Sequence, residues 1–195
     1  MRILLFGKSG QVARELQRQA EVAVLGRAEA DLRDPQACAE AILRSDADAV
    51  INAAAYTAVD RAEEEEELAT AVNARAPGAM ARACADRGMA FLHLSTDYVF
   101  DGSGEAPWTE NDPPAPKNAY GRSKRRGEEA VLAAGGRAAV LRTSWVFSAH
   151  GGNFVKTMLR LAETRGALRI VDDQIGGPTP AAEIAAALLR MAPRL

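Results

Sequence analysis

Histidine, cysteine and aromatic residues are all scarce in this chain, and each scarcity excludes something. Two histidines and two cysteines in 195 residues leave too few soft ligands for a zinc centre or a disulfide framework. Cys38 and Cys84 lie in alanine-rich helical contexts without a Cys-x-x-Cys spacing, which predicts two buried thiols in a reducing, cytoplasmic setting. His93, inside an apolar run, reads as a hydrogen-bonded core residue, and His150, beside Gly151-Gly152, has no identifiable partner. An excess of one charge is also missing. The 24 Lys and Arg against 26 Asp and Glu give a net charge of -2, which argues against nucleic acid or an anionic membrane as partner. No apolar run reaches the ~20 residues of a membrane span, and Ile3-Leu-Leu-Phe6 is too short for the core of a signal peptide.

What is present is alternation. Short apolar runs at 2–6, 22–25, 49–52, 90–94, 138–141 and 168–171 read as strands. Helical patterns at 11–20, 35–44, 62–87, 120–134, 154–164 and 181–191 separate or follow them. Asp34-Pro35 supplies an N-cap and a first-turn proline, and Gly88 a terminator. The order predicts an α/β fold, a Rossmann-like doubly wound parallel sheet covered on both faces. The irregular stretch 101–118 reads as one wall of a substrate site.

Gly7-Lys-Ser-Gly10-Gln-Val-Ala13 falls between the first strand and the first helix, where pyrophosphate meets free backbone N–H groups and the positive helix end. Gly7, Gly10, Gln11 and Val12 are therefore candidate cofactor contacts. The spacing differs from Gly-x-Gly-x-x-Gly, with Ala13 where close packing wants a small residue. A tight turn without ligand is the alternative. Gly26-Arg27 closes the second strand with a cation instead of an acid. That favours NADPH, whose 2′-phosphate Arg27 could accept, over NADH. Asp31 and Leu32 could flank the adenine. Ala53, Ala54, Ala55, Tyr56 and Thr57 end the third strand mostly in small side chains, as backbone lying against a cofactor requires; plain packing would look the same.

Tyr120-Gly-Arg-Ser-Lys124 places a phenol and an ammonium on one helix face, one turn apart. The ammonium would stabilise a phenolate whose ordinary pKa of about 10 makes it a reluctant acid. Ser95-Thr96 adds hydroxyls at the end of the fourth strand. In carbonyl reduction Tyr120 would donate the proton, Thr96 would hold the carbonyl oxygen in line, and Lys124 would tune the phenol. Ser95, Tyr120 and Lys124 are also counted among the cofactor contacts.

Ser95-Thr-Asp-Tyr-Val-Phe-Asp-Gly102, Asn118-Ala-Tyr-Gly-Arg-Ser-Lys124, Arg142-Thr-Ser-Trp-Val-Phe147 and Asp173-Gln-Ile-Gly-Gly-Pro-Thr179 together resemble the dTDP-4-dehydrorhamnose reductase family. So do Gly7–Gln11 and Asn52–Asp60, and the resemblance runs from Met1 to about Ile184. It implies reduction of the 4-keto group of dTDP-4-dehydro-L-rhamnose to dTDP-L-rhamnose. It makes Tyr120 the acid, Lys124 its partner on the nicotinamide ribose and Thr96 the second hydroxyl. It places Asp97, Tyr98 and Trp145 at the sugar. Trp145 would either face the sugar's methyl group or fill the core.

Some family members hold Mg2+ at a dimer contact. Glu15 matches one such position, but Ala182 stands where the companion acid falls, with Glu183 next, so no metal is assigned. The family also continues well past the point where this sequence stops. Residues 1–195 are thus expected to form the NADP(H)-binding domain, with those from about 143 onward beginning a substrate-binding part whose remainder is largely absent. On that expectation Ile184, Leu188 and Met191 present an uncovered apolar stripe and favour a homo-oligomer. Two further readings stand beside the reductase: a non-catalytic NADP-binding subunit, similar to the accessory subunit of methionine adenosyltransferase, and a reductase of another 4-ketosugar nucleotide.

Overall fold

A computed structural model describes all residues, Met1–Leu195. Five parallel strands form the main sheet: β1 (Ile3–Phe6), β2 (Ala23–Leu25), β3 (Ala49–Asn52), β4 (Ala90–Thr96) and β5 (Ala138–Thr143). Their order is β2-β1-β3-β4-β5. The chain leaves β1 toward one edge and returns to the other side of β1 with β3. The order therefore reverses between β1 and β3, and doubly wound sheets open their binding crevice at the carboxyl ends of such a strand pair.

Side-chain alternation along the strands sorts the core into two halves. Leu4, Phe6, Val50 and Phe91 face α2 (Pro35–Arg44) and α4 (Ala76–Asp86), where Ile42, Met80 and both cysteines are buried. The cysteines are free thiols, and burial pushes Cys38 up to about 11 and Cys84 up to about 12. Ile3, Leu5, Ile51 and Leu92 face α1 (Gln11–Gln19) and α7 (Ala181–Met191).

Three expectations change here. The stripe on α7 is not uncovered: Ile184 and Leu188 are buried against α1 and the sheet, and Met191 packs at their edge. Uncovered apolar side chains lie instead on α6 (Phe154–Thr164), which buries none of its residues and exposes Phe154, Val155 and Leu159. Residues 168–171 form no strand, because no neighbour offers them a ladder, and Ile170 and Val171 are exposed. Finally, 62–87 is not one helix. A short 3-10 turn (Asp60–Glu63) and α3 (Glu66–Thr70) lead into a π-helical turn (Ala71–Arg75) before α4. Pro77, in the first turn of α4, lacks the N–H that a continuous ladder would need.

The π turn has a packing role. α5 (Ala119–Leu132) crosses it so closely that a Cβ on Gly127 would overlap the Asn73 carbonyl oxygen. A small second sheet, β6 (Val146–Phe147) beside β7 (Thr179–Pro180), closes the excursion that carries α6. Nothing in the local pattern of these short segments announces it. No helix is long and apolar enough to cross a membrane.

Candidate active site

The cradle forms where β1 stops. Gly7 has φ 106°, a left-handed conformation that favours glycine, and a Cβ there would lie 3.2 Å from the Ala53 carbonyl carbon and the Ala54 nitrogen. Its N–H donates to Leu25 O at 2.9 Å, and the Ala53 N–H donates to Phe6 O at 2.9 Å, so the ends of β1, β2 and β3 are tied together. Gly10 caps α1 without a side-chain bond, and the first turn of α1 carries no acid. Its first N–H groups have no intrahelical partner and remain available to an anion.

A cavity of about 850 Å³ opens over this cradle and gathers Gly7, Gly10, Arg27, Asp31, Leu32 and Ala53 through Thr57. Arg27 is exposed on its wall and makes no hydrogen bond or ion pair within the chain. Asp31 is held by Arg33 Nε at 2.8 Å, which keeps its carboxyl below the usual range; Leu32 is mostly buried in the core. Gln11 and Val12 lie outside the lining. The Gln11 side chain binds Val146 O, Ser148 and Asn153, and Val12 packs in the core, which leaves only their backbone N–H groups for a ligand. Lys8, Ser9, Arg33, Arg61 and Glu65 also line the cavity, and the sequence reading did not single them out. Lys8-Ser9 could have been found, since they fill the gap between Gly7 and Gly10.

Asn73 joins the cavity to α5. Its Oδ1 accepts from Tyr56 N–H at 2.9 Å, and its Nδ2 donates to Tyr56 O at 3.0 Å and Ser123 Oγ at 2.9 Å. The Ser123 hydroxyl in turn donates to Tyr120 O at 2.7 Å. The Tyr56 hydroxyl is occupied by Glu65 at 2.8 Å.

Tyr120 lies beside Thr96 where β4 meets α5, and Lys124, one turn further along α5, reaches Leu94 of the same strand. Asn118 caps α5 by accepting from Gly121 N–H at 2.7 Å, which sets Tyr120 in the first turn. Its ring meets Tyr98 edge to face at 5.6 Å between centroids. Burial pushes the Tyr120 hydroxyl up to about 12, with the adjacent Thr96 hydroxyl opposing. The sequence predicts a lowering by Lys124; in this structure burial raises the hydroxyl instead and Thr96, not Lys124, is the group that opposes it. Lys124 turns to the strand, donating to Leu94 O at 2.6 Å, and burial pulls it down to about 8. Thr96 Oγ1 donates to Asp97 Oδ1 at 3.1 Å and accepts from Tyr98 N–H at 3.2 Å. Ser95 Oγ is buried without a hydrogen-bond partner.

Trp145 settles one alternative. It is 42% exposed, so it does not fill the core, and its φ of 43° is the one positive value outside glycine. A Cβ on Gly176 would strike its indole ring at 2.7 Å. Asp97, whose carboxyl burial raises, lines a second cavity of about 480 Å³ with Trp108, Arg142 and Ser144. Trp108 stacks on Phe100 at 4.6 Å, which puts the 101–118 stretch on that cavity's wall.

These features fit a nicotinamide dinucleotide: a cradle that a Cβ would fill at Gly7, an uncapped helix start, an unengaged Arg27 and an unpartnered hydroxyl at Ser95. Glu15 is paired with Arg18 at 3.3 Å, and its carboxylate also lies 3.0 Å from His150 Nε2 without forming a hydrogen bond to it.

Known proteins resemble the chain over its whole length. Residues 1–195 match the family model described as RmlD substrate binding domain. A dTDP-4-dehydrorhamnose reductase of Burkholderia thailandensis is 49% identical over 189 residues, covering 95% of this chain and 63% of that protein. One of Mycobacterium tuberculosis H37Rv is 47% identical over 201 residues, covering 98% and 66%. The chain thus spans less than two thirds of these relatives' length. A crystal structure of a Clostridium acetobutylicum dTDP-4-dehydrorhamnose reductase superposes with a TM-score of 0.94 at 38% identity, covering all of this chain and 71% of that one. Another from Bacillus anthracis, solved in complex with NADP, gives 0.93 at 33% identity, covering 98% and 70%.

Proposed function

We propose that this chain, which belongs to the dTDP-4-dehydrorhamnose reductase family, carries the cofactor cradle and proton-transfer residues of an NADPH-dependent reductase acting on dTDP-4-dehydro-L-rhamnose. The observation that carries the reading is Tyr120 beside Thr96 on the helix that also carries Lys124, tied through Ser123 and Asn73 to Tyr56 on the wall of the cavity that begins at Gly7. NADPH, when bound, supplies the hydride. The α1 N-terminus and the Gly7–Gly10 turn bind pyrophosphate, and Arg27 takes the 2′-phosphate. Thr96 holds the C4 carbonyl oxygen, and Tyr120 gives it a proton from its hydroxyl. Lys124 holds the ribose and, as an ammonium, eases the loss of that proton. Residues from about 143 onward face the sugar, with Trp145 against its methyl group.

Arg27 gives a direct test of cofactor choice. Its guanidinium is free within the chain, so Arg27→Asp removes no internal bond and adds a charge that repels phosphate. Calorimetry should show a loss of NADPH affinity of at least tenfold, about 1.4 kcal/mol, with NADH affected far less. Equal losses for both nucleotides would exclude Arg27 as the 2′-phosphate ligand.

A further inference from the structure

His93 sits within β4, 1% exposed and stacked on Phe91, and both of its ring nitrogens have polar neighbours. Asn52 is its cross-strand partner on β3, with Nδ2 at 3.2 Å from His93 Nδ1. On the other side Nε2 lies 3.3 Å from Lys124 Nζ. The polarity of this row is set at its far end. The Ala54 N–H, in the cradle, points at Asn52 Oδ1 at 3.1 Å. A backbone N–H can only donate, so the Asn52 amide must turn its Nδ2 toward His93. That Nδ2 also only donates, and His93 Nδ1 must therefore supply a lone pair. A neutral ring then carries its proton on Nε2, facing Lys124. A second ring proton would meet Asn52 Nδ2 donor to donor, and full burial further disfavours the imidazolium.

The lysine inherits this constraint. An ammonium would set N–H against N–H across the 3.3 Å gap. A free amine accepts from Nε2–H and still donates to Leu94 O at 2.6 Å, satisfying every member of the row.

We propose that His93 is a positioning residue: as the Nε2–H tautomer set by Ala54 and Asn52, it favours the uncharged amine of Lys124 over the ammonium in the cofactor-free protein, so that this lysine loses its proton more readily than an ordinary one. Burial of Lys124 acts in the same direction. The opposing group is Glu128, one turn along α5, and its carboxylate is already held by Arg142 from β5 at 2.6 and 2.9 Å. Tyr120, one turn back, stays protonated because it is buried. The consequence for catalysis rests on the reductase reading above. Lys124 must be charged before it can ease proton loss from Tyr120, so free-enzyme activity should fall on the alkaline side where this lysine titrates.

Nitrogen-15 NMR of the full chain without cofactor tests the proposal directly. His93 should show an unprotonated Nδ1 and a protonated Nε2 at neutral pH, and Lys124 should titrate near 8, well below its ordinary 10.5. The opposite tautomer, or a Lys124 ammonium that persists into the ordinary range, would overturn it. These signals need neither cofactor nor substrate, so a protein that shows them without reductase activity refutes only the functional reading. His93→Gln offers Lys124 a carbonyl oxygen in place of a donor. It should move the alkaline limb of kcat/KM upward by roughly one pH unit, a tenfold change in proton affinity. An unmoved limb would also overturn the proposal, since a purely structural role lowers rate at every pH. Should the variant fail to fold, the parent's tautomer and titration decide.

Discussion

Tyr120→Phe is expected to cut turnover by roughly 100- to 10,000-fold, the usual range for losing a positioned proton donor, while NADPH affinity stays near that of the parent. Only a hydroxyl is removed. The edge-to-face contact with Tyr98 survives, and Thr96 keeps Asp97 as a partner at 3.1 Å, so no buried donor is orphaned. Steady-state kinetics on the active protein, paired with calorimetric NADPH titration, separates the two effects. Turnover near the parent's would show that the proton comes from elsewhere.

The second large effect is on stability. In Gly127→Ala the new methyl group would overlap the Asn73 carbonyl oxygen and come 3.5 Å from the Ala74 Cα. Both neighbours are backbone, so no side chain can swing aside. We expect a loss of about 3 kcal/mol, the upper end of ordinary overpacking, read as a lower urea midpoint. Cofactor affinity should fall with it, because Asn73 also anchors Tyr56 and, through Ser123, the start of α5. Gly152→Ala is the control, since its Cβ would meet nothing within 4 Å. Equal stability of the two variants would mean that α5 and the π turn are not packed as described.

The sequence and the structure agree where a local pattern is enough. Each of the five sheet strands is an apolar run with its own turn signals, and the cradle is legible because Gly7 needs a conformation and a clearance that glycine provides. Residues 168–171 have strand composition too, but a strand requires a neighbour, and composition does not say whether one exists. α7 misled for a similar reason. Its apolar stripe is plain, while the α1 face that covers it lies about 170 residues away in sequence. The row from Ala54 to Lys124 was the least legible. It depends on the β3–β4 register that sets Asn52 across from His93, and on α5 crossing β4 at Lys124. A reading confined to β4 yields a core histidine and stops there.

The proposed role of Thr96, Tyr120 and Lys124 is to reduce a 4-ketosugar nucleotide with NADPH. It is tested most directly by following NADPH oxidation on addition of dTDP-4-dehydro-L-rhamnose. The measurement should use this chain and the same chain joined to the segment that follows the matched region in the Burkholderia relative. The extended protein should show Tyr120-dependent oxidation with dTDP-L-rhamnose as product, and both proteins should bind NADPH. If both bind NADPH and neither oxidises it, the residues form a cofactor-binding module without the chemistry assigned to them.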